Sequence, residues 1–173
     1  LTSNKLNLII ATPNLFIEEF SSRINNHHTQ PLPQVYAENI SNLDSGSHTG
    51  EVSANMLRGI ASGTLLGHSE RRINFGETDQ VLVTKIEQAL KCSLEVIFCI
   101  GSRDKDSHKH QAEVYRQLTS ILPYFNSSNS NLLKIAYEPI FAIGSGDVPA
   151  QEFLNEQLQL IKVTLKDYGL EVS

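Results

Sequence analysis

Leu94-Glu95-Val96-Ile97-Phe98-Cys99-Ile100, a helical pattern from Ser107 to Leu122, and then Leu132-Leu133-Lys134-Ile135-Ala136-Tyr137 decide how this chain folds. The first run is apolar at nearly every position and lacks clean alternation, which marks a strand covered on both faces. The helix places Val114, Leu118 and Ile121 on one face. Strand, helix, strand in that order predicts parallel strands joined by a right-handed crossover.

The same alternation extends both ways. Upstream are a strand at Leu8-Ile9-Ile10-Ala11 and a helix from Leu15 to Ile24, with Phe16 and Phe20 four apart. A strand at Val35-Tyr36-Ala37 and a polar loop from Ser41 to Glu51 follow. Ser53 caps a short helix carrying Met56 and Ile60, and Thr64-Leu65-Leu66 is a brief apolar strand. Thr78 or Asp79 caps a helix whose face is Leu82, Ile86 and Leu90. Downstream, Leu154, Leu158, Ile161, Leu165 and Tyr168 line a helix from Ala150 to Tyr168 that Gly169 stops. Leu170-Glu171-Val172 reads as the stub of another strand. Five complete strand–helix units make an α/β chain, expected as a single domain over 1–173.

Composition narrows the function. Hydrophobic residues at 40% and charged residues at 19% exclude a disordered chain. No apolar run approaches the roughly 18 residues of a membrane span, and no signal stretch is visible, so no membrane partner is expected. A net charge of −5 without a basic cluster argues against nucleic acid. Cys92 and Cys99 form neither a disulfide framework nor, with histidine, a zinc spacing. Reduced thiols and a cytoplasmic location are expected. Asn39-Ile40-Ser41 and Asn126-Ser127-Ser128 match the glycosylation pattern by chance in that setting.

Active sites of parallel α/β folds gather at the carboxyl ends of the strands. Gly67-His68-Ser69-Glu70-Arg71-Arg72 follows the third strand, and Glu138-Pro139-Ile140-Phe141-Ala142-Ile143-Gly144-Ser145-Gly146 follows the fifth. Alone, His68 reads first as a turn cap, Glu70, Arg71 and Arg72 as a solvated charge run, and Glu138 as a structural carboxylate. Together, a histidine and a glutamate ending strands two apart point both side chains at one pocket, as acid–base chemistry requires.

These strings resemble a known family. Leu66-Gly67-His68-Ser69-Glu70-Arg71-Arg72 with Phe75-Gly76-Glu77-Thr78-Asp79 resembles the histidine motif of triosephosphate isomerases, and Ala136-Tyr137-Glu138 through Gly146 their glutamate motif and closing loop. Gly46-Ser47-His48-Thr49-Gly50-Glu51-Val52-Ser53 is similar to the family's dimerisation loop, and Val96-Ile97-Phe98-Cys99-Ile100-Gly101 to its cysteine strand. The resemblance implies a (β/α)8 TIM barrel, present here as one partial domain holding about strands 2 to 6. It implies interconversion of dihydroxyacetone phosphate and glyceraldehyde 3-phosphate, in glycolysis and gluconeogenesis, without cofactor or metal.

By the same resemblance Glu138 is the base, neutral His68 polarises the carbonyl, and Glu70 helps place them. Gly144, Ser145 and Ser69 are the substrate- and phosphate-binding residues, 139–149 the lid, and Arg71–Glu77 a structural pair. Thr49 reaches a partner subunit in a homodimer. The alternative is a truncated, non-catalytic remnant acting as a folding or interaction module.

This sequence departs from the family at Phe141 (usually Trp), Ser145 (Thr), Asp147 (Lys), Glu38 (Gln), Ser102 (Glu) and His48 (Phe). A complete barrel takes roughly 250 residues. The first strand, with its Asn and catalytic Lys, and the last two units are therefore expected outside these residues. Lys5 beside Asn4 does not fit the family spacing. As written, the chain is expected to be inactive.

Overall fold

The computed structural model describes residues 7–26 and 31–170. Lys5, and Glu171 and Val172 of the expected strand stub, lie outside the described residues. Five strands form one sheet in the order of the chain: β1 (Ile9–Thr12), β2 (Gln34–Ala37), β3 (Gly63–Leu66), β4 (Glu95–Gly101) and β5 (Leu133–Glu138). Every neighbouring pair is parallel. Sequential parallel order is that of a (β/α) barrel, seen as an open arc with β1 and β5 at its edges among the described residues.

Helices cover the outer face: α1 (Ile17–Asn25), α2 (Ala54–Leu57), α3 (Ser69–Asn74), α4 (Asp79–Lys91), α5 (Ser107–Ile121) and α6 (Gln151–Asp167). Thr78 caps α4 by accepting from the Val81 amide, and Asp106 caps α5 by accepting from Lys109. Leu82 and Ile86 of α4 and Val114, Leu118 and Ile121 of α5 are wholly buried, and Val96, Phe98 and Ile100 of β4 lie in the same core.

Three helical faces differ from the expected ones. α1 buries Ile17 and leaves Phe16 and Phe20 at 44% and 40% exposure, because its inner side packs on β2. α2 is a single turn that buries Leu57 and exposes Met56. α6 packs against α5, so its buried row is Gln157, Ile161, Thr164 and Leu165, while Leu158 and Tyr168 remain outside.

On the inner side of the sheet, Tyr36 crosses the β3 position taken by Gly63. A Cβ there would come within 2.6 Å of the Tyr36 ring and would collide with the Glu95 carbonyl. The Tyr36 hydroxyl reaches Glu95 Oε2 at 2.6 Å, and Lys134 from β5 pairs with the same carboxylate. This polar layer crosses β2, β4 and β5 below the rim where the site lies.

Candidate active site

His68 ends β3 and caps α3; its Nδ1 accepts from the Glu70 amide at 3.4 Å. The turn is made by Gly67 at φ +77, which also leaves room for Arg72: a Cβ on Gly67 would stand 2.8 Å from Arg72 Nη2. A backbone amide can only donate, so Nδ1 presents its lone pair. Nε2 lies 3.0 Å from Glu138 Oε1 and carries the proton toward that carboxylate. This bonding pattern belongs to the neutral imidazole.

Glu138 ends β5, and its second oxygen accepts from the Ser69 amide at 3.2 Å. One carboxylate from β5 is thus held by the imidazole and first helical amide of the β3 turn. Its side chain is 16% exposed and that of His68 35%, so the pair faces the rim without being sealed.

The backbone under the pair is fixed by residues for which sequence reasoning assigned no role. Arg72, a member of the His68 string, donates to the Gly67 carbonyl (2.7 Å), the Cys99 carbonyl (3.2 Å) and Asp79 Oδ1 (2.9 Å). It ties the ends of β3 and β4 to the start of α4. Gly101 pairs with Glu138 in register, and Gln117 Oε1 and Nε2 bind its amide and carbonyl, both at 2.9 Å. Gln117 and His110 stand on the apolar face of α5, and that break in the pattern was the available signal. Burial, with Glu138 nearby, pushes the Cys99 thiol up to about 12. Cys99 therefore stays protonated and is no nucleophile.

The expected Arg71–Glu77 pair is present at 2.6 Å, and Lys85 shares Glu77 Oε1 at 2.5 Å while donating to Asn39. Burial lowers the Lys85 pKa, against the pull of Glu77. Glu70 is largely exposed, with Oε2 3.9 Å from His68 Nδ1. Beside His68 opens a cavity of about 560 Å³ lined by Pro13, Asn14, Glu38, Asn39 and Phe75, among others.

Gly144 and Ser145 are not brought to this pair. Both are exposed, and Ser145 Oγ bonds within the lid, to the Ala142 carbonyl and the Asp147 amide, each at 3.0 Å. Gly144 adopts φ +73. Thr49 is exposed in a loop whose base is closed by the Ser41 amide on the Val52 carbonyl.

Comparison with known proteins agrees with this geometry. A family model described as triosephosphate isomerase matches residues 1–172. A triosephosphate isomerase of Flavobacterium johnsoniae is 38% identical over 143 residues, 80% of this chain and 57% of that protein. One of Porphyromonas gingivalis is 34% identical over 170 residues, 96% of this chain and 66% of its own. One of Marinobacter nauticus is 41% identical over 113 residues, 64% and 45%. The chain spans about half to two-thirds of the length of these curated relatives. With the motifs in order, the parallel arc of strands, and the histidine and glutamate joined across it, the chain belongs to the triosephosphate isomerase family.

Proposed function

We propose that the protein carrying this chain interconverts dihydroxyacetone phosphate and glyceraldehyde 3-phosphate. The observation that supports this best is the direct bond between neutral His68 and Glu138 across the strand ends. Substrate enters by replacing that bond. The carbonyl oxygen takes the Nε2 proton as hydrogen-bond partner, and the freed Glu138 oxygen faces the neighbouring carbon. Glu138 removes a proton there and negative charge moves to the oxygen held by His68. His68 gives its Nε2 proton to that oxygen and takes one back from the neighbouring hydroxyl, and Glu138 returns its proton to the adjacent carbon. Triosephosphate isomerases are themselves the familiar worked example of this combination of glutamate base, neutral histidine electrophile and closing loop.

Ser69 holds the resting carboxylate through its amide and releases it when substrate binds. Glu70 keeps His68 in place through its own amide. Gly144 and Ser145 reach the phosphate when the lid moves, since a positive φ lets the backbone approach an anion closely. Closure excludes water from the enediolate and strengthens the fields around it. The setting is cytoplasmic glycolysis and gluconeogenesis. No helix among the described residues is long and apolar enough to cross a membrane.

The test is His68→Gln in the intact protein. Turnover falls by about 10²-fold, the loss expected for one transition-state donor, while the far-UV spectrum is unchanged. Undiminished turnover rejects the reading.

The protein is a homodimer in this proposal, with the 41–52 loop reaching a second subunit around Thr49. Replacing residues 44–49 by two glycines, which spares the Ser41–Val52 closure, gives monomers by sedimentation and turnover at least about tenfold lower, as lost positioning predicts. A dimer of unaltered affinity removes this loop from the interface.

A further inference from the structure

His110 is wholly buried on α5, where an apolar side chain would complete the face. Its Nδ1 lies 2.9 Å from the Asp104 carbonyl, and a carbonyl can only accept. Nδ1 therefore carries the proton, and Nε2 keeps a lone pair. The Tyr137 hydroxyl, 2.8 Å from Nε2, donates to it. Burial pushes the Tyr137 phenol up to about 12, so this donor keeps its proton at neutral pH. Both ring nitrogens are satisfied in one neutral tautomer, opposite to that of His68.

The anchor is itself fixed. Ser102 Oγ accepts from the Asp104 amide at 3.0 Å and donates to Glu113 at 2.6 Å. The other side of the ring meets the lid. Phe141, in the 3-10 turn Ile140–Ala142, stands edge-on to His110 with centroids 5.8 Å apart, and Phe153 of α6 does so at 5.1 Å. Phe141 and Phe153 meet edge to face at 5.5 Å. Edge-to-face contacts have a preferred orientation, so a rotated imidazole would not seat Phe141 equally well. The lid's far end touches the same β4–α5 loop through the Asp147–Lys105 pair, at 3.3 Å.

We propose that His110 is a positioning residue that couples the first lid turn, through Phe141, to the strand position of Glu138, through Tyr137. Tyr137 directly precedes Glu138, so its hydroxyl bond sets the end of β5 from which the base projects. Phe141 lies three residues beyond Glu138 and pivots on the same ring. The kinetic consequence rests on the isomerase reading; the coupling itself does not.

The experiment combines nitrogen-15 spectra of the imidazoles, amide hydrogen exchange and steady-state kinetics on the intact protein and on Tyr137→Phe. That substitution removes one hydroxyl and keeps the ring. The unaltered protein shows His110 as the Nδ1–H tautomer. In Tyr137→Phe, exchange in residues 140–147 quickens by about tenfold, on the scale of one lost hydrogen bond, with β3 and β4 unchanged. Turnover falls by about fivefold to tenfold, with KM within about twofold, because orientation of the base is lost rather than ground-state binding. An Nε2–H tautomer in the unaltered protein overturns the proposal without any variant having to fold. Lid exchange identical to the unaltered protein, or quickened equally throughout, also overturns it. An unaltered protein that turns over no triose phosphate sinks the isomerase reading instead, and tautomer and exchange still decide the coupling.

Discussion

Replacing Glu138 by Asp lowers turnover by at least about 10²-fold and leaves KM close to its original value, because the shorter side chain withdraws the carboxylate by about 1 Å. The geometry makes this position intolerant. Glu138 Oε1 reaches His68 Nε2 at 3.0 Å and Oε2 reaches the Ser69 amide at 3.2 Å, both from a backbone fixed in the β4–β5 ladder. Strand pairing prevents the backbone from following a shorter side chain. The aspartate stays a carboxylate, so what is lost is proximity to the reacting carbon rather than charge. Steady-state kinetics on the intact protein check this, and turnover unchanged by the substitution would remove Glu138 from the mechanism.

Gly101→Ala damages the same base without touching it. The added Cβ would collide with the Glu138 carbonyl oxygen and stand 2.9 Å from its carbonyl carbon, with Ile140 Cγ1 at 3.3 Å. The obstructing atoms are backbone, so no rotamer relieves the contact. The ends of β4 and β5 must part, loosening the register of Gly101 on Glu138 and the clasp of Gln117 on Gly101. The expected cost is about 3 kcal/mol of stability, at the upper end for overpacking, with turnover lower by about 10²-fold in the folded fraction. Gly169→Ala, at the end of α6, is the control. A Cβ there meets nothing within 4 Å, and φ +71 costs only the local strain of about 1–2 kcal/mol. Denaturant unfolding and kinetics on both variants separate backbone collision from lost flexibility. Gly101→Ala with unaltered stability and turnover contradicts this account of the site.

Local patterning by itself determined the strands, the order of elements and the two strand-end strings, because each depends on residues close in the chain. The run at 94–100 is apolar because both faces of β4 are covered, and α4 shows its buried row because it lies flat on β3 and β4. Tertiary structure decided which side of the less regular helices turns inward. α1 buries Ile17 rather than Phe16 and Phe20, and α6 buries Gln157 rather than Leu158, since spacing shows that a stripe exists but neighbouring elements choose its angle. The histidine and glutamate could be placed on one rim from the parallel order. Their 3.0 Å contact, and the opposite tautomers of His68 and His110, arise from amides and carbonyls brought in by other segments. Arg72 and Gly101 carried no local signature of their roles, and His110 only a break in the apolar face of α5, because each acts on backbone or rings 5 to 43 positions away: Gly67 from Arg72, Glu138 from Gly101, Phe153 from His110. Contacts of that kind exist only once the parallel strands have placed their ends side by side.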